Sequence, residues 1–257
     1  MRGRSLLRRL FIGGAVSTIL LAATACAPTP APAEDPAQDA RPLSSDEAES
    51  LAMMRFRNFD AGVRAIEFGV ADAGEDYTVS GWVDYAAHLG YATIDARGER
   101  SLIAWSADAI SSHPSADQTP PLPPPGLDAG AAEWTTSDLV ADASRLHAAL
   151  GVVLSLTSDR PDNPLLLQQT DARWLREDTI GDVAVDVIAG PTSDTPYDPG
   201  SGAADDGSDA VLRYWIDESG LLHRAEVRLG GSGEWTAVEF GEAPDVAFAD
   251  AFLGAAR

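Results

Sequence analysis

Lysine is absent from this chain of 257 residues, and its 18 basic side chains are all arginine. Against them stand 40 acids, giving a formal charge of −22. A field of that sign repels DNA, RNA and anionic lipid head groups, so nucleic acid is excluded as a partner. The acidity reads as a solvated surface that keeps a secreted protein in solution. Cysteine is nearly absent too. Cys26 stands alone, which leaves no internal disulfide and no site built from several thiolates. Stability therefore has to come from a packed core. Signatures of catalysis are also missing. The four histidines, His88, His113, His147 and His223, are too scattered for a helix-borne metal pair. There is no Walker loop, no Rossmann fingerprint after a strand and no Gly-x-Ser-x-Gly. Gly230-Gly231-Ser232-Gly233-Glu234 is one glycine short of that last motif and reads as a turn. Neither an enzyme nor a cofactor or metal site is expected.

What is present begins at the N-terminus. Arg2, Arg4, Arg8 and Arg9 precede an apolar run, Leu10 to Ala23, and small residues then lead to Cys26. Charged, apolar and small-residue regions in that order make a secretory signal. The cysteine just after them resembles the lipobox of bacterial lipoproteins, which implies cleavage before Cys26 and a diacylglycerol on its thiol. An ordinary signal cut near Ala25 and a short transmembrane anchor are the alternatives, although the run falls short of the about 20 residues of a span. Four of the 18 basic residues lie in this segment, so its removal deepens the charge from −22 to −26. The expected location is the extracytoplasmic face of the cell membrane, with Cys26 as the lipid anchor.

Residues 26–42 are rich in Ala, Pro, Asp and Glu without apolar periodicity, and read as a disordered tether. Residues 43–257, about 215 in all, suffice for one domain with a sizeable core. Ser44-Ser45-Asp46-Glu47 has the form of a capping box. It predicts a helix over Glu47 to Phe59, with Ala48, Leu51, Ala52, Phe56 and Phe59 covering a sheet and Gly62 as the stop. The period then changes to two, and strands are expected over Arg64–Val70, Tyr77–Tyr85, Tyr91–Arg97 and Arg100–Ser106. Their short links mean an antiparallel meander. Pro114 to Pro125 reads as an irregular crossing. Thr136-Ser137-Asp138 is expected to cap a helix with Leu139, Ala143, Leu146, Leu150 and Val153 on one stripe, and Asn163-Pro164 starts a shorter one. Strands return over Arg173–Arg176 and Asp182–Ala189. Pro191 to Asp209 reads as a loop without core residues. A hairpin follows at Leu212–Asp217 and Leu221–Leu229, and a last strand at Trp235–Phe240.

Strand runs interrupted by helices predict an α+β domain. A single antiparallel sheet of this width should curl strongly, with helices covering its concave face. Arg213-Tyr214-Trp215-Ile216-Asp217 with Gly220-Leu221-Leu222-His223-Arg224-Ala225-Glu226-Val227 resembles the late hairpin of carriers related to the LolA lipoprotein chaperone. The closest likeness is to the lipid-carrying lipoproteins of mycobacteria and related actinobacteria, the LppX/LprG group. Trp174-Leu175 and Asp178-Thr179-Ile180-Gly181-Asp182-Val183 resemble that family's central hairpin. The resemblance implies a half-barrel with a hydrophobic cavity, sometimes loaded with an acyl chain.

The first functional expectation is an anchored lipoprotein that binds a lipid or other apolar ligand without acting on it. Ile66, Phe68, Val79, Val83, Ile103 and Trp105 of the sheet, closed by Leu146 and Leu150, are the expected cavity wall. The second is an interaction module of the same fold with a filled core. A cell-wall hydrolase ranks last, because its carboxylates would have to cluster in a cleft. His223 is read as a structural hydrogen-bonder. Asp194, Asp198, Asp205, Asp206 and Asp209 lack the EF-hand spacing and read as a solvated loop. Trp82, Trp105, Trp174, Trp215 and Trp235 fall in predicted strands and belong to core or cavity wall, not to a sugar platform.

Overall fold

The computed structural model describes residues 40–115, 134–192, 196–198, 206–230 and 233–243. Among them, twelve strands form one antiparallel sheet with two free edges, accompanied by three α-helices. A two-residue strand, β1 (Arg41–Pro42), precedes α1 (Ser45–Ala61). A meander then runs through β2 (Val63–Asp72), β3 (Glu75–Asp84), β4 (Leu89–Ala96), β5 (Glu99–Trp105), β6 (Ala109–Pro114) and β7 (Thr135–Asp138). A 3-10 turn at Ala141–Ala143 leads to α2 (Arg145–Ser155) and α3 (Pro164–Gln168). A second meander comprises β8 (Arg173–Ile180), β9 (Val183–Ala189), β10 (Leu212–Ile216), β11 (Leu222–Arg228) and β12 (Trp235–Glu242).

The spatial order is β1-β8-β9-β10-β11-β12-β2-β3-β4-β5-β6-β7. The two meanders fuse where β12 pairs with β2, Val238 opposite Phe68 and Phe240 opposite Ile66. β7 forms one edge and β8 lies next to the other, so the chain between them has to cross the whole sheet. Helices α2 and α3 lie along that route; α1 precedes β2, and together they cover one face. α2 packs on β2 and β3, while α1 packs on α3, β10 and β11.

Local chemistry explains the elements. Ser44 caps α1 reciprocally: its hydroxyl accepts from the Glu47 N–H at 3.3 Å, and its own N–H donates to Glu47 Oε2 at 2.8 Å. Gly62, at φ +67°, ends the helix where a side chain would be strained. The β2–β3 and β4–β5 links are two-residue turns, Ala73-Gly74 and Arg97-Gly98, with both residues at positive φ. That is the type I′ geometry whose twist matches a hairpin.

The helix-covered face carries one apolar core. Ile66, Phe68, Val79, Val83, Ile103, Trp105, Ile188, Ile216, Ala225, Val227, Val238 and Phe240 meet Ala48, Leu51, Met54, Ala149, Leu150 and Val153 there. Among the described residues, core side chains of this cluster begin at Leu43 and end at Phe240. The other face has two smaller clusters, one around Trp82, Leu89, Tyr91, Leu102 and Ala104, the other around Val185, Val187 and Trp215.

Several expectations need correction. Thr136-Ser137-Asp138 is not a helix cap. It lies in β7 and pairs with Ala109–Ser111 of β6, where the β-branched Thr136 suits a strand. α2 instead starts at Arg145, where the Ser144 hydroxyl accepts from the His147 N–H at 3.1 Å, and Leu139 stays outside it. On α1, Met54 and Asn58 take the buried positions expected of Phe56 and Phe59, which are only half-buried. Ordered structure reaches back to Arg41, whose guanidinium lies 4.1 Å from the Trp174 ring centroid and pairs with Glu47 at 2.6 Å. That grip brings two tether residues onto the sheet edge. Cys26, Asp194, Asp205 and most of Pro114–Pro125 lie outside the described residues.

Candidate functional site

Where α1, α3 and β10 meet, a cleft of about 470 Å³ opens between helices and sheet. That volume is in the range of small-molecule sites, about 300–1,000 Å³. Leu51, Met54 and Arg55 of α1 form one wall, and Leu166 and Leu167 of α3 form another. Asp162, Asn163, Thr170, Pro191 and Tyr214 complete the lining.

Each wall is held by local bonding. Asn163 Oδ1 caps α3, accepting from the Leu165 N–H at 3.0 Å and the Leu166 N–H at 3.4 Å, and Pro164 occupies the first turn. The loop before α3 is tied to α1 by the Asp162 N–H, which donates to Ala52 O at 2.9 Å. Arg55 donates through Nη2 to Thr157 O at 3.1 Å and reaches Asp162 at 3.7 Å through Nη1. Tyr214 packs its ring over Gly190, where an added Cβ would come within 2.8 Å. Burial pushes the Tyr214 hydroxyl up to about 12, with Arg55 pulling it down and Asp162 adding to the rise. It stays a neutral phenol at physiological pH. The cleft lining is thus mixed: Leu51, Met54, Leu166, Leu167 and Pro191 are apolar, and Arg55, Asp162, Asn163, Thr170 and Tyr214 offer hydrogen bonds.

The lip of the cleft is unusual. Leu165 and Leu166 of α3 are 67% and 58% exposed. Three successive leucines on a short helix cannot all face inward at 3.6 residues per turn.

The eight residues expected to wall a cavity do come together, buried in the core cluster and not in this cleft. Ile66, Phe68, Val79, Val83, Ile103, Trp105 and Leu150 are each at most 3% exposed, and Leu146 is half-buried against them. None of the eight lines the cleft. Leu51 is the one cleft residue that the sequence places on the helix face covering the sheet. The Leu165-Leu166-Leu167 run was the available signal for the rest.

The remaining candidates are structural. His223 Nε2 lies 2.8 Å from Asp217 Oδ2, inside the β10–β11 turn. Burial pushes the Asp217 carboxyl up, and hydrogen bonds from Ser219, His223 and Leu221 outweigh it, leaving the group below the usual carboxylate range. Trp215 and Trp235 offer no bare sugar platform. Arg176 and Arg224 lie over Trp215 at 5.7 and 5.1 Å, and Arg213 and Arg228 over Trp235 at 4.3 Å each. Among the described residues no group of three His, Cys, Asp or Glu side chains could hold a metal ion. No helix among them is long and apolar enough to cross a membrane. No family model matches the sequence, and no curated protein matches it.

Proposed function

We propose that this protein is an extracytoplasmic lipoprotein, anchored through Cys26, that binds an apolar ligand such as a lipid acyl chain without reacting with it. The sheet would curl into the half-barrel of the LolA-like carriers, its concave face under α1 and α2. The observation that carries the reading is the cleft between α1, α3 and β10, with Leu51, Met54 and Leu167 in its wall and the exposed Leu166 at its lip. Each methylene buried there would contribute about 0.8 kcal/mol. The polar corner at Arg55, Asp162 and Tyr214 would orient a head group at the mouth.

Native mass spectrometry of the chain from Cys26 to Arg257 carrying Cys26→Ser, followed by organic extraction, tests this. The expected result is a discrete added mass that leaves as lipid, or that appears after incubation with a membrane extract. Leu51→Trp, which fills the cleft from α1, should abolish it. A bare polypeptide mass under both conditions would sink the reading.

A second reading rests on Leu165 and Leu166. Such exposed leucines on an ordered helix suit a protein contact, and the domain would then be an anchored interaction module. Leu165→Ser with Leu166→Ser would weaken that contact.

A further inference from the structure

Tyr214 ends in a hydroxyl that has no hydrogen-bond partner among the described residues. The residue stands on β10, opposite Ile188 of β9 and Ala225 of β11, and is 9% exposed. It lines the cleft between α1, α3 and β10. Burial, Arg55 and Asp162 set its proton affinity, and no hydrogen bond contributes. A phenol in such a place carries one O–H donor, and leaving that donor unmet costs stability. Phenylalanine would fill the same floor without the cost.

The rest of the lining decides what can meet it. Thr170 is satisfied: its Oγ1 donates to Leu167 O at 2.6 Å and accepts from the Ala172 N–H at 3.3 Å. Asn163 commits Oδ1 to the first turn of α3 and keeps its amide donors at the exposed rim. Arg55 spends Nη2 on Thr157 O, and Nη1 lies 3.7 Å from Asp162, close enough to balance charge but too long for a hydrogen bond. The Asp162 side chain is 38% exposed, so solvent reaches its oxygens. Inside the cleft the unspent groups are therefore donors. Arg55 and Asp162 are the only charged side chains among the described lining residues, and they cancel. An anionic head group would have to approach Asp162 to reach Arg55, and a cationic one would meet Arg55 on its way to the acid.

On the reading that this cleft is the ligand site, we propose that its ligand is an uncharged ester with a single acyl chain, and that Tyr214 recognises the ester carbonyl. Ester oxygens only accept, which matches a lining of idle donors. An ester also brings no charge for Asp162 to repel and no N–H that the interior would have to satisfy. Size sets the number of chains. A dry cavity of about 150 Å³ takes one benzene. At about 470 Å³ the cleft has room for about three times that, or about 18 non-hydrogen atoms. That is one chain with a small head group, not two or three chains. Leu51, Met54 and Leu167 give the tail an apolar wall, and Leu166 carries it to the lip.

Calorimetric titration of the chain from Cys26 to Arg257 (Cys26→Ser) with 1-monolauroylglycerol and with ionised laurate, each below its micellar concentration, tests the proposal. The two probes share one tail, and the ester should bind about tenfold more tightly. Tyr214→Phe keeps the ring and should weaken the ester about fivefold, the worth of one hydrogen bond. Asp162→Asn leaves Arg55 unbalanced and should raise laurate affinity severalfold. The infrared carbonyl band of the bound ester needs no cleft variant, so it decides even if Tyr214→Phe fails to fold. It should lie below its position in a hydrocarbon solvent. Laurate that binds as tightly as the ester, full ester affinity in Tyr214→Phe, unchanged laurate affinity in Asp162→Asn, or a carbonyl band at the hydrocarbon position would overturn the proposal. Binding that Leu51→Trp removes would still leave an apolar site in the cleft. If neither probe binds, or if Leu51→Trp leaves binding intact, the cleft is not the ligand site and both readings fall.

Discussion

Gly90→Ala probes whether the centre of the sheet is packed or hollow. Gly90 of β4 pairs directly with Trp105 of β5. A Cβ on Gly90 would fall inside the indole, against its Cζ2, Cε2 and Cη2 atoms. The ring has little freedom to yield. Trp105 is 2% exposed and its Nε1 donates to Leu150 O on α2 at 3.3 Å. Forcing the ring aside carries the about 1–3 kcal/mol of overpacking, with about 1 kcal/mol more for the hydrogen bond. Alanine's lower backbone entropy returns about 0.5–1 kcal/mol. The expected net loss is about 1–3 kcal/mol. Urea unfolding followed by far-UV circular dichroism should show a lower midpoint at unchanged slope. In a Trp105→Val background the clash disappears, so Gly90→Ala should be neutral or slightly stabilising, a coupling of about 2 kcal/mol. If Gly90→Ala alone stays within about 0.5 kcal/mol of the parent, the indole has open space to enter. A hollow in front of β5 would then replace the close packing of Trp105 on Gly90.

Asp217→Asn should cost about 1 kcal/mol or less at neutral pH, since the group is partly solvated. Because its folded pKa is depressed, its stabilisation is complete above the unfolded value of about 3.9 and fades as pH falls through the folded value. The gap between variant and parent should therefore close in acid unfolding curves; a gap that persists at low pH would refute this origin. Ser44→Ala removes half of the α1 capping box and should lower stability by about 1 kcal/mol in the same urea assay. Cys26→Ser should move the expressed protein from the membrane to the soluble fraction on cell fractionation; unchanged membrane retention would disprove anchoring through the thiol.

Much of the fold was legible because local chemistry dictates it. The Ser44–Glu47 box, the stop at Gly62 and the alternation of Ile66, Phe68 and Val70 need no distant partner to be read. The misplaced elements are those whose state depends on a neighbour. Thr135–Asp138 is a strand because β6 presents an edge to pair with, and in isolation the same residues read equally well as a helix start. Met54 and Asn58 were overlooked for a related reason. Helical spacing places several stripes on α1, and only the position of the sheet selects one. The candidate site was harder still, since Leu51 and Arg55, Leu166, and Tyr214 come from three separate stretches of chain.

The sequence by itself determined the acidic charge, the single cysteine at position 26 behind a basic and then apolar segment, the lack of metal and nucleophile signatures and the alternation of helical and strand segments. These follow from composition and from periods of 2 and 3.6, which are properties of neighbouring residues. The tertiary structure alone decided that β12 pairs with β2, that α2 and α3 lie along the crossing from one sheet edge to the other, and that the residues expected to wall a cavity are buried together apart from the cleft. It also placed a cleft beside the leucines of α3. Those outcomes depend on which surfaces meet across 100 or more residues, and packing of that kind is a property of the whole chain.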